Sequence, residues 1–286
     1  MAVVALGIGS LPVSGQSKVD RGIKLNADGA IRIYNNVGSV RVVGWNRDSV
    51  AVRGLLGGGN TLHFGGGPGG VKMFVEGRDE RNPAAASIEV MVPFRAKVWV
   101  KTASADIDVS GVAGSLDLYV VGGRITVRGN PADVNAEAID GAITVVGSPG
   151  WLRAKSASGD VSFDGSCSDV TLSTVSGKVD ADGTGFEKAK FETVTGGIRF
   201  AGSFRPGGLV NFDTHSGKIE VGVSPSTPAD FDVVSIAGAI VNRLTSSRPI
   251  KGRYGRGSEL MTATGGGGTR VAIRSFKGPV TLLRVE

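Results

Sequence analysis

The chain has 286 residues, with 46 glycines, 41% apolar residues and a formal charge of +6. That is too apolar for a disordered Gly-rich chain, and no Gly-X-Y period points to collagen. A single cysteine, Cys167, excludes an intrachain disulfide and a cysteine-based metal site.

The N-terminus reads MAVVALGIGSLPVSGQSKVD. Residues 2–13 are mostly small and apolar, and Val13-Ser14-Gly15 suits a signal-peptidase cut before Gln16, so residues 1–15 read as a truncated signal peptide without its basic n-region. No other segment has about 20 continuous apolar residues, the length needed to span a bilayer.

Residues 16–97 form an irregular β region leading into a regular one. Ile31, Ile33, Gly38, Val40, Val42 and Gly44 already fit the template described below, whereas over 45–97 the period is lost and only 50–53, 71–76 and 88–92 look like strands. The Gly-rich runs at 57–59, 65–70 and 265–268 look like flexible excursions.

From residue 98 the chain repeats itself. Aligning on the Gly of each Ser-Gly corner gives anchors at Ala105, Gly123, Gly141, Gly159, Gly177, Gly196, Gly217 and Gly238, spaced by 18, 18, 18, 18, 19, 21 and 21 residues. Two residues after the anchor every repeat has Ile or Val, from Ile107 to Ile240. Four after it, Val, Phe or Ala fills every repeat but the last, which has Asn242; five and seven before it, all are apolar. A further glycine stands six after the anchor in six of the repeats. Side chains alternate along a strand, so the −7/−5 and +2/+4 positions are the inward residues of two short strands, and the two glycines mark tight corners needing positive φ. Each repeat is one rung that cannot bury its apolar face alone, so rungs must stack, about 4.8 Å apart, into ladders of like residues. The expected fold is all-β: a single-domain parallel β-solenoid (β-helix) of about ten coils of 18–21 residues, right-handed as wide-coil β-helices generally are. In chain order the rung of Gly238 follows that of Gly217. The 40 residues between Gly238 and Gly278 hold about two rungs with a basic insertion at 242–258.

Charge is uneven. Residues 241–286 hold 9 basic and 2 acidic residues, while residues 1–240 hold 23 and 24. Arg243, Arg248, Lys251, Arg253 and Arg256 surround Tyr254 in the insertion. A polyanion such as lipopolysaccharide, acidic glycan or anionic lipid suits such a segment; so does the plainer role of a solubilising loop that deters edge pairing. No nucleic-acid module is present.

VGSVRVVGW at 37–45, the Val92-Pro93 before the first regular rung and the recurring T-x-S-G-x-[IV] resemble a bacterial "putative adhesin" β-solenoid family of unknown function. The resemblance spans roughly residues 20–286. It implies an exported protein of the periplasm, outer surface or medium, and it supplies no catalytic residues.

Chemistry is sparse. His63 and His215 have no second His or Cys in metal spacing. Asp164 and Asp182 share the outward +5 position of consecutive rungs, with Asp160 and Asp180 nearby. That could serve a retaining glycosidase or hold Ca²⁺, although Asp before Gly commonly caps a turn. Trp99, Tyr119 and Trp151 could form a sugar-stacking platform. The outward −4 and +3 columns are mixed in charge, which speaks against an enzyme. The expectation is therefore a non-enzymatic envelope or secreted binding and scaffold protein with no cofactor. Its partner is expected to be a glycan, an anionic surface or an envelope protein. The alternatives are a carbohydrate-active enzyme using Asp164/Asp182 and a regulatory envelope module that binds another protein.

Overall fold

The computed structural model describes residues 15–79, 83–252 and 255–285. Residues 1–14, which hold nearly all of the expected signal peptide, lie outside them, as do Arg253 and Tyr254. Among the described residues none is helical, and 25 strands join into one sheet.

The repeat sets the pairing. Strand Trp151–Ser156 lies parallel to Asp133–Ala138 on one side and Asp169–Thr174 on the other, and Val161–Ser166 pairs likewise with Ile143–Gly147 and Val179–Thr193. The register matches the sequence columns: Val134, Leu152 and Val170 are successive partners, as are Ile143, Val161 and Val179. All the inward residues of these rungs are buried in one continuous core. Burial of each such side chain is worth about 1.5–3 kcal/mol, so the stack holds itself together through its ladders.

The increase in spacing from 18 to 19 and 21 residues has a local cause. Extra residues enter at the corner after the second strand, where the register shifts between Gly183 and Lys188. There Phe186 and Phe204 turn inward and pack on Phe163, Phe191 and Phe200 at ring separations of 5.1–6.1 Å.

Two expectations are corrected. The first concerns the corners. Positive φ belongs to the +6 glycines Gly111, Gly129, Gly147, Gly165 and Gly202, and none of the anchor glycines has it. The anchors are glycine for a different reason: a Cβ on Gly177 would collide with the Gly159 carbonyl oxygen of the rung before, and the same holds along the column to Gly196 and Gly217. The corner is completed by the Thr of T-x-S-G. Thr174 is buried, donates to the Gly159 carbonyl at 3.0 Å and accepts the Gly177 N–H at 3.2 Å. Ser156 and Ser235 accept the corner N–H in the same way.

The second correction concerns order. The rung Thr269–Ser275/Val280–Arg284 stacks directly on Ile198–Thr214 and Ile219–Val223. The rung Ala229–Ser235/Ile240–Asn242, expected there from chain order, stacks outside it. The anchor column therefore runs Gly196, Gly217, Gly278, Gly238. Segment 242–258 is thus placed at the end of the stack rather than between rungs. It leads to Ser258–Thr264, which pairs antiparallel with Ala229–Ser235 and carries the short strand Ile250–Lys251 on its other side.

The other end is built similarly. Ala30–Asn35 and Gly38–Trp45 stack on Lys97–Thr102 and Asp106–Ser110. On their far side lie Gly70–Glu76 and Ala86–Pro93, also parallel. Antiparallel strands Ser49–Leu56, Ser17–Lys24 and Thr61–Gly67 then finish this end. The Gly-rich stretch 65–70 is thus a hairpin and not an excursion. The run 265–268 is a tight turn in which every glycine has positive φ.

Gly177→Ala is expected to cost roughly 2–3 kcal/mol, because the added methyl meets backbone that cannot yield. Gly22→Ala should be nearly neutral, its Cβ clearing the nearest atom by 3.5 Å. Thr174→Val, the same shape without the hydroxyl, should cost about 1–3 kcal/mol by orphaning a buried N–H and C=O. Denaturant unfolding of the three variants checks this.

Candidate functional site

The T-x-S-G corner that closes each rung also shapes its outer surface. Thr at −3 points in, so the residue at −2 points out. Down the stack the −2 column reads Val121, Ile139, Ala157, Val175, Val194, His215, Phe276 and Ile236. Its Val, Ile and Phe members are 39–50% exposed. His215 stacks on Phe276 with ring centroids 4.9 Å apart. A groove of about 720 Å³ follows the later part of this column, with Lys155, Glu192, Asp213 and Arg274 of the −4 column along its side. Sequence reasoning weighed the −4 column and passed over −2, though an apolar residue of outward parity in nearly every repeat was the available signal.

The −4 charges differ in their partners. Glu192 is bridged by Lys190 at 2.8 Å and Arg274 by Asp232 at 2.6 Å. Among the described residues no ion pair or hydrogen bond engages the side chains of Glu137, Lys155 or Asp213. Half-burial raises the Asp213 carboxyl above its usual range, and the neighbouring Glu192 charge raises it further.

The stack end carries the second candidate. Arg243, Arg248, Lys251 and Arg256 are exposed, and no carboxylate of a described residue is paired with any of them. Arg253 lies outside the described residues. Ile250, 65% exposed, adjoins Lys251 and lies opposite Glu259, and Met261, 69% exposed, lies opposite Asp232, so apolar, basic and acidic side chains meet at this end.

The aspartate cluster is assembled as its register implied, and it is neutralised. Asp164 and Asp182 are direct partners on adjacent strands. From the next rung Arg199 reaches Asp180 at 2.6 Å and Asp182 at 3.9 Å, while Asp160 accepts the Lys178 backbone N–H at 2.7 Å. The Asp180 hydrogen bond holds the Arg199 guanidinium above its ordinary value. Asp160 thus acts as a turn cap, and the cation slot beside Asp180 and Asp182 is filled by a side chain. Among the described residues no group of three His, Cys, Asp or Glu is placed to hold a metal ion.

Trp99, Tyr119 and Trp151 make no ring contact with one another. Trp99 packs edge-on against Tyr34 at 4.8 Å, and Tyr119 lies under Lys101. His63 is held by Glu76 at 2.6 Å and stacks on Phe74. Cys167 is buried, and that burial pushes its thiol up to about 11.

Two outcomes are expected. Millimolar Ca²⁺ should leave the melting temperature unchanged, since Arg199 already occupies the acidic cluster; a rise that disappears in Asp182→Asn would contradict this. Cys167 should resist thiol reagents at pH 8 until the chain is unfolded. Its unfolded thiol ionises near 9 while the folded one stays neutral to about 11. Unfolding therefore releases a proton, and stability falls as pH rises through that window. Cys167→Ala should flatten that part of the pH–stability curve.

No curated protein matches the chain. Among solved structures, the "putative lipid binding protein" of Parabacteroides distasonis is 14% identical, with 94% of this chain and 97% of that one covered at a TM-score of 0.46. The "putative adhesin" of Bacteroides fragilis is 9% identical over 94% and 99%, at 0.45. The "putative cell adhesion protein" of Clostridium sporogenes is 9% identical over 94% and 100%, at 0.24. Among the described residues no helix is long and apolar enough to cross a membrane. The Toastrack DUF4097 family model matches residues 84–263, more than half of the sequence and most of its T-x-S-G rungs: the chain belongs to the Toastrack DUF4097 family.

Proposed function

We propose that this protein is a non-enzymatic binding and scaffold protein of the cell envelope or exterior. It is a right-handed β-solenoid of about ten coils that meets a polyanionic surface, such as lipopolysaccharide, acidic glycan or anionic lipid, with its basic end. One observation carries the reading. Arg243, Arg248, Lys251 and Arg256 are exposed at one end of the stack and outnumber the carboxylate of Glu259 on the neighbouring strand, on a chain whose first 240 residues are about neutral. Charge gathered at the tip of a stiff body acts as one patch, and each cation near an anionic surface is worth about 1 kcal/mol. Ile250 and Met261 add apolar contact where a lipid surface is met.

The full chain on an array of envelope glycans and lipids should be retained on anionic members, less so as salt rises from 50 to about 300 mM. Neutralising Arg243, Arg248, Lys251 and Arg256 to Gln should abolish retention without moving the melting temperature. A blank array would sink the polyanion reading and shift weight to an envelope protein as partner. Hydrolysis of any polysaccharide in the panel that is lost in Asp164→Ala would overturn the non-enzymatic reading.

A further inference from the structure

The −2 column is an exposed apolar strip along the corner bends, at the edge of the sheet face that carries the −4 column. Counting about 4.8 Å per rung, the strip from Val121 to Ile236 is roughly 34 Å long. With the −4 column beside it, its later part forms the groove that runs from Lys155 and Ser156 to Arg274 and Phe276. Its charges point to the occupant. In stacking order the −4 column reads Tyr119, Glu137, Lys155, Ser173, Glu192, Asp213, Arg274, Val234. The unpartnered groups are Glu137 and Lys155 toward one end and Asp213 toward the other.

We infer that this face binds a second copy of the same chain, antiparallel, about a two-fold axis between the rungs of Gly177 and Gly196. That operator lays Lys155 over Asp213 of the second copy, a pair in which neither side chain is bridged in its own chain, and Glu137 over Arg274, which Asp232 already holds. A slip of one rung in one direction sets Glu137 against Asp213, and in the other Lys155 against Arg274. The first slip also brings Lys155 to Glu192, which Lys190 already bridges, so neither slip gains a contact between two unbridged opposite charges as the two-fold register does. A parallel arrangement about the −2 strip puts the two −4 columns on opposite sides, where Lys155 and Asp213 cannot meet. The same register fits the apolar strip by size: Val175 meets Val194, the small Ala157 meets His215, and Ile139 meets Phe276. Isologous contact of this kind closes on itself and yields a dimer rather than a fibre.

Sedimentation velocity on the full chain should show a dimer at micromolar concentration. Asp213→Lys and Lys155→Asp should each raise its Kd at least tenfold, and the double exchange should restore it to within about threefold. The orientation has its own readout. Val121→Cys combined with Ile236→Cys should give an interchain disulfide, while neither single variant should, because each cysteine then lies some 34 Å from its own copy. The buried Cys167 does not interfere. A monomer at about 100 μM overturns the inference, including one that takes up an apolar peptide or lipid on this face. So does a dimer that ignores the charge exchange, or one cross-linked by a single cysteine. None of these readouts involves the basic end, so the polyanion reading stands or falls separately.

Discussion

Everything in this molecule depends on how closely one corner can sit above the next. The carbonyl of one anchor glycine occupies the space where the following anchor would carry a Cβ. The +6 column repeats the constraint, since a Cβ on Gly147, Gly165 or Gly202 would meet the carbonyl oxygen of the glycine one rung before. Once the corners nest, the strands on both sides fall into parallel register, and each buried column becomes a ladder without further specification. The buried Thr that satisfies both the corner N–H and the carbonyl of the previous rung joins two constraints in one side chain. Local turn chemistry and inter-rung stacking therefore reinforce each other, which is the consistency expected of a sequence with one dominant native state.

Inside and outside follow different rules. The inward columns accept any side chain of the right volume, and where that volume rises to Phe186 and Phe204 the backbone lengthens to admit it. The outward columns are free of that demand, so departures from ordinary surface composition carry more meaning there. Two stand out: an apolar file at −2 and a cationic end. Neither contributes to the ladders, and an exposed file of valines and isoleucines is a cost in water unless something covers it.

Much of the fold was legible because its period is short and its columns nearly invariant. The apolar −7, −5, +2 and +4 positions are the buried ones, and the T-x-S-G word marks the corner. What periodicity cannot encode is spatial order. Residues 229–242 and 269–284 carry the same template, and no residue in either says which lies nearer Gly217. The antiparallel caps were hidden for a related reason: Thr61–Gly67 is nearly half glycine and reads as a break, although it completes a hairpin with Gly70–Glu76. The aspartate pair was placed correctly by register, but its neutralisation comes from Arg199, one rung on in a different outward column. The basic segment was found by counting charge. That it sits at the end of the stack, where its charges face outward together, required the topology.

The inverted order at the far end bears on how the chain acquires its shape. A stack built rung on rung can form as the chain is made, each new turn docking on the one before. Here that sequence is interrupted after Val223. The following segment, 229–242, pairs with Ser258–Thr264 but joins the stack only once Thr269–Arg284, synthesised later, has taken the intervening place. At about 5–20 residues per second that is a wait of some seconds, during which an apolar strand pair lacks its neighbour. The end of the body that carries the basic side chains is therefore completed late, by a closure as long-range as the one that sets Ala30–Asn35 on Lys97–Thr102 at the other end.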